Sequence, residues 1–157
     1  MTTDIKQKSE LMTILKSGFV AGNLDAIAGV IVYYIWFGFN PIQVLQFIAS
    51  GVHSPTAIGG GAMMVVAGLI YHFIIAYVCA IIYFYAFPKI DFLRTNKIIA
   101  GLLFGLGIWL VMNLLVLPNS NIPKGSFDLG LAIVGIIWHM TLVGLPIALI
   151  TSKYYDK

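Results

Sequence analysis

Four long stretches of this chain carry almost no charge. They lie at about residues 15–37, 61–87, 97–117 and 129–151. Each is some 20 residues or more, and an α-helix rising 1.5 Å per residue needs about 20 apolar residues to cross the roughly 30 Å of bilayer hydrocarbon. No water-soluble fold keeps that much contiguous apolar surface in solution. The expected fold is therefore all-α: a single polytopic membrane domain spanning residues 1–157, with four transmembrane helices and the lipid bilayer as solvent. Composition agrees, with 60% hydrophobic and 10% charged residues. Soluble domains average about 45–50% and about 25%.

The breaks between spans are chemically distinct. Pro88 and Pro118 close the second and third runs, because proline removes a helix donor and crowds the preceding turn. The run from Leu15 to Phe37 exceeds the 7–15 apolar residues of a secretory signal. It also runs into Tyr33, Tyr34 and Trp36, which suit an interfacial belt, so it reads as a retained anchor. Between spans one and two, Asn40-Pro41 has the form of an N-cap followed by proline at the first helical position. Ile42, Leu45, Ile48 and Val52 then share one face, opposite Gln43, Gln46 and Ser50, and Gly51 offers a stop. The pattern predicts a short amphipathic helix lying on the membrane surface or re-entering it.

The basic residues report topology. Lys6, Lys8, Lys16, Lys89, Arg94, Lys97, Lys153 and Lys157 fall on one side of a four-span arrangement, and Lys124 alone on the other. The positive-inside rule then places both termini in the cytoplasm, with Tyr83, Tyr85, Tyr154 and Tyr155 as the inner aromatic belt. No basic stripe is interleaved with aromatics, so no nucleic-acid partner is expected. The lone Cys79 lies in an apolar run and reads as a packing residue.

Three ionisable side chains sit deep in the spans. Asp25 is about 14 Å along its helix from Lys16, His72 about 16 Å from Tyr83 and His139 about 18 Å from Thr151, at 1.5 Å per residue. All three fall near midplane, on three different helices. Small residues share their faces: Gly18, Ala21, Gly22, Ala28 and Gly29 with Asp25; Gly61, Gly68, Ala76 and Cys79 with His72; Ala132, Gly135 and Pro146 with His139. Such faces pack against other helices rather than lipid. A charge at the bilayer centre costs about 2.5–3.5 kcal/mol on insertion scales, so the three are expected to meet inside the bundle.

Three uses of that centre stay open. It is a path for protons or cations in a small carrier or channel, a bis-histidine haem or metal site, or polar glue in a structural or assembly partner. Each histidine has a glycine one turn earlier, Gly68 and Gly135. Helical side chains lean toward the N-terminus, so each glycine clears space that a porphyrin or a neighbouring helix fills. Asn113, on the third span with Trp109, is expected to hydrogen-bond another helix. Pro146 is expected to kink the fourth span or act as a hinge, and His53 to be solvated in the outer connection. Gly18-x-x-x-Gly22 and Gly101-x-x-x-Gly105 let spans one and three approach closely or mediate homo-oligomerisation. No nucleophile constellation or phosphate loop is present, which points away from an enzyme.

A faint repeat runs through the chain. Gly68-Leu69-Ile70-Tyr71-His72 parallels Gly135-Ile136-Ile137-Trp138-His139, and Lys16…Ala21-Gly22 parallels Lys97…Ala100-Gly101. Two hairpins of like orientation would make His72 and His139 symmetry mates. Phe104 stands where Asp25 would recur.

From Tyr71 to Tyr154, about half the chain, the sequence resembles the YagU-like family of bacterial inner-membrane proteins. The likeness rests on the aromatic-His helix, the Phe87-Pro88-Lys89-Ile90 exit, Ala100-Gly101-Leu102-Leu103 and the Trp138-His139 pair, with Gly18-x-x-Ala21-Gly22 as a further match. It implies a multi-span inner-membrane protein without a settled biochemical activity. His72 and His139 match histidines of the family pattern, whereas Asp25 has no counterpart there.

Overall fold

The computed structural model describes residues 2–123 and 125–156, with side chains from residue 9 onward. Lys124 and Lys157, and the side chains of Lys6 and Lys8, lie outside the described residues. The chain is helical nearly throughout: α1 (Thr2–Phe37), α2 (Pro41–Ser50), α3 (Gly61–Ala86), α4 (Asp91–Thr95), α5 (Lys97–Val111), α6 (Leu129–Trp138) and α7 (Leu145–Tyr155). Four stretches are long and apolar enough to cross a membrane: Ser9–Phe37, Gly61–Lys89, Lys97–Asn119 and Leu129–Tyr155. They run past the expected limits: span one starts earlier and span four ends later, and a 3-10 turn at Phe87–Lys89 and another at Leu117–Asn119 carry spans two and three through their prolines.

α1 stops at Gly38, whose φ of 69° reverses the chain. The Gly38 and Phe39 N–H groups donate back to the carbonyls of Tyr34 and Tyr33, which satisfies the helix end. α2 begins with the expected cap. Asn40 accepts from the Gln43 N–H, and the Gln43 side chain accepts from the Asn40 N–H, both at 3.0 Å.

α2 turns Gln46 and Ser50 toward the protein. Gln46 is 5% exposed and Ser50 fully buried, while Ile42 is 56% and Val52 60% exposed. The Gln46 amide donates to the Gly61 carbonyl and accepts from the Gly59 N–H. A helix at a water interface turns its polar side to water. One within hydrocarbon turns it to the protein, where backbone groups need partners. α2 follows the second pattern and lies against α3, with the Leu45 carbonyl seated where a Cβ on Gly68 would be. Nearby, Asn121 closes the outer loops by donating to the carbonyls of Gly51 and Val52 at 3.1 Å each.

Both glycine pairs of the G-x-x-x-G type are filled within the chain. Gly18 and Gly22 receive Tyr77, Phe73 and Ala76 of α3; Gly101 and Gly105 receive Ala148, Leu145, Gly144, His139 and Met140 of the fourth span. So each packs its own hairpin partner. Neither brings spans one and three together.

Spans three and four each contain a π-helical stretch, Met112–Val116 and His139–Gly144. Each closes on a residue directly before a proline: Leu117 donates to Met112 and Leu145 to Met140, five residues back. Proline cannot donate and clashes with the carbonyl four residues earlier. Widening the turn by one residue relieves that clash, which is the form the expected disturbance at Pro146 takes.

The core occupies the half of the bundle near the chain ends: Ala21, Tyr83, Phe87, Val143, Ile147 and Ala148. Tyr83 belongs to it, 1% exposed and 4.8 Å from the Phe104 ring in an edge-on pair, and so is not a belt residue. At this end the Lys97 ammonium pairs with Asp156, and the Tyr154 hydroxyl donates to Glu10 at 3.1 Å.

Candidate functional site

Outward of that core, three spans bring polar side chains to one level. Asp25 lies 12 residues inside Phe37, His72 11 residues inside Gly61 and His139 10 residues inside Leu129. At 1.5 Å per residue these are depths of about 15–18 Å from the outer helix ends. The lateral positions agree too. Asp25 Oδ2 is 3.9 Å from His72 Nδ1, and Asp25 Oδ1 is 3.8 Å from His139 Nε2. The carboxylate therefore lies between the two imidazoles, one oxygen toward each. Its side chain stays 25% exposed, against 11% for His72 and 13% for His139, which leaves it one open side.

A fourth group completes the cluster. The Trp138 Nε1–H donates to Asp25 Oδ1 at 2.7 Å, and the indole stacks on His139 with ring centres 4.8 Å apart and planes 21° from parallel. The sequence marks Trp138 as the repeat counterpart of Tyr71 and as part of the Trp138-His139 pair, without linking it to Asp25. An indole N–H far from both interfaces needs an acceptor, and Asp25 is the one acid deep in the spans, so the signal was present.

Both imidazoles are anchored through their other nitrogen. His72 Nε2 lies 2.8 Å from the Gly22 carbonyl oxygen of α1, and His139 Nδ1 lies 2.7 Å from the Gly135 carbonyl oxygen one turn earlier. Gly22 serves twice here. It lets α3 approach α1, and that approach brings His72 to the Gly22 carbonyl.

The spaces beside the histidines are taken by protein. The Leu45 carbonyl fills that at Gly68, and the Trp109 indole that at Gly135. No slot for a flat macrocycle remains there, and His72 Nε2 is engaged by a backbone carbonyl. The residues do not fit a bis-histidine haem. Among the described residues no group of three His, Cys, Asp or Glu side chains has the geometry to hold a metal ion.

The other singled-out residues lie apart. Asn113 sits in the π turn of span three and donates to the Trp109 carbonyl of its own helix at 2.9 Å, so it makes no tie to another helix. The carbonyl four residues back was simply nearer. His53 is exposed but not merely solvated: its Nε2 lies 2.9 Å from the Tyr71 hydroxyl. That contact breaks the repeat, since Tyr71 turns to the outer connection while Trp138 turns to Asp25. Inward of the centre, the Tyr83 hydroxyl and Thr151 Oγ1 are buried without a hydrogen-bond partner.

Four apolar helices around a small polar centre define a helical membrane protein. Comparison with protein-family models, curated proteins and solved structures finds no match to this chain.

Proposed function

We propose that this protein moves protons across a membrane as a small carrier or channel, with Asp25, His72 and His139 as the exchanging groups. One observation carries the reading: a carboxylate and two imidazoles from three spans meet deep in an apolar bundle. Ionisable groups at such depth are costly, and their usual use is ion or proton passage. A cation other than a proton is less well served, because the Trp138 N–H points its positive end at the carboxylate.

The proposed setting is the bacterial inner membrane, with both termini in the cytoplasm. The clustering of Lys16, Lys89, Arg94, Lys97 and Lys153 at one end of the spans supports that orientation. The likeness of residues 71–154 to the YagU-like family supports the choice of membrane.

The test is proton flux in liposomes holding the purified protein. A pH gradient should collapse faster than in empty vesicles, and Asp25→Asn or His72→Ala should return the rate to the empty-vesicle value while the protein stays folded. Unchanged flux in both variants would end the proposal. A second reading, in which the centre only ties helices together, draws on the Trp138–Asp25 and His72–Gly22 hydrogen bonds. It predicts no flux in the native protein and lowered stability in the same variants.

A further inference from the structure

We infer that one proton resides between Asp25 Oδ2 and His72 Nδ1, and that the Trp138 indole N–H holds the opposite carboxylate oxygen. The inference rests on reading the Asp25 cluster as a proton site, and it names the atoms.

The argument starts from the two backbone carbonyls. A carbonyl oxygen only accepts, so the nitrogen facing it carries hydrogen. His72 therefore bears hydrogen on Nε2 and His139 on Nδ1. In their neutral forms the remaining nitrogens, His72 Nδ1 and His139 Nε2, are lone pairs. Both lone pairs face Asp25. An ionised carboxylate between two neutral imidazoles would set acceptor against acceptor on both sides.

The Trp138 N–H relieves one side only. It donates to Oδ1, the oxygen that His139 faces, and leaves Oδ2 opposite His72 with no donor. No Lys or Arg occurs between Lys16 and Lys89, from residue 98 to 123, or from residue 125 to 152, so no basic residue within the spans neutralises the carboxylate. Tyr33 on α1 and Cys79 on α3 also feel the Asp25 charge, and neither is a cation. The fourth span contributes only Trp138 and His139 to this cluster. A charge deep in a membrane span without a counter-charge is unfavourable. One added proton at the Oδ2–Nδ1 gap makes the centre neutral overall and turns the repulsion into a hydrogen bond. The 3.9 Å gap needs to close by about 1 Å to reach hydrogen-bond length. The proton sits on the imidazole beside an ionised carboxylate, or on the carboxyl with His72 as acceptor; both leave the same total.

The sequence offers a direct test without substitution. The three histidines follow three different residues: Val52 before His53, Tyr71 before His72 and Trp138 before His139. Carbonyl-labelled tyrosine with nitrogen-labelled histidine thus singles out His72, and carbonyl-labelled tryptophan singles out His139. Solid-state NMR of the full chain in lipid bilayers at neutral pH then reads each ring nitrogen, and infrared spectroscopy reads the Asp25 carboxyl, assigned with Asp25→Asn. The expected result is opposite tautomers. His139 is neutral with hydrogen on Nδ1, and His72 has hydrogen on Nε2 with one further proton on its Nδ1 or on Asp25. An ionised Asp25 beside two neutral imidazoles overturns the inference, as does the extra proton on His139. Flux and proton seat fail separately: a resident proton without flux sinks the transport reading alone, and flux with an ionised centre sinks this one alone.

Discussion

Asp25 makes one strong hydrogen bond, to an indole on another span, and everything else in the centre is arranged around it. Trp138→Phe keeps the stacking surface on His139 and deletes the donor. Hydrogen bonds between membrane helices contribute on average about 0.6 kcal/mol and at most about 1.7. The variant should lose stability within that range in a detergent unfolding titration, and no measurable loss would mean that the bond does not form. Tyr83 gives the opposite case, since its hydroxyl is buried without a partner. Removing a buried polar group that bonds nothing relieves a desolvation cost. Tyr83→Phe should leave the thermal midpoint unchanged or raise it; a clear drop would reveal a water bound there. At this scale the sequence was legible where chemistry is scarce. Asp25, His72 and His139 stand out because charge is rare in a span, and depth counting brought them to one level. Trp138 is less legible: it is one aromatic among 13%, and only its need for an acceptor at depth links it to Asp25.

Among the helices, glycine placement decides which surfaces meet. A Cβ at Gly68 would strike the Leu45 backbone carbonyl, which has no rotamer to turn aside, whereas one at Gly29 would meet nothing within 4 Å. Gly68→Ala should therefore cost about 1–3 kcal/mol by overpacking and detach α2 from α3. Gly29→Ala should gain up to about 1 kcal/mol from helix propensity. Equal effects in a thermal unfolding assay would contradict the packing of α2. Pro146 is the second control point. With Pro146→Ala the helix regains a donor and the reason for a wide turn at His139–Gly144 disappears. Reversion to ordinary α geometry would shift the residues on one side of the turn by one position, about 100° around the helix. His139 would then leave Asp25, an outcome readable as loss of its ring-nitrogen signature. Here the sequence was only partly legible. Asn40, Pro41 and Gly51 announced α2 and its limits. The apolar stripe Ile42, Leu45, Ile48 and Val52 marked an amphipathic helix but not its inward face, because periodicity shows that a helix has two faces without showing which solvent lies outside. Nor does a proline announce whether its helix answers with a bend or with a π turn.

For the whole molecule, two hairpins lie around one acid. α1 with α3, and α5 with the fourth span, each close on a small-residue seam, and each second helix supplies one histidine. Each hairpin supplies one imidazole, and the single Asp25 supplies the asymmetry. Length and hydropathy dictated the number of spans from the start, since no other arrangement hides four apolar runs. The relative rotation of the hairpins was not legible, because lipid-facing and core-facing residues in these helices are both apolar; only the glycines and the rare polar groups tell them apart. The account stands on the convergence of three spans at Asp25. Its most direct test is the dipolar coupling between the labelled Asp25 carboxyl and the ring nitrogens of His72 and His139, in the native chain in bilayers. The structure predicts strong coupling to both rings, with carboxylate oxygens 3.9 and 3.8 Å from the facing nitrogens. Coupling to neither ring, or to only one, would contradict it.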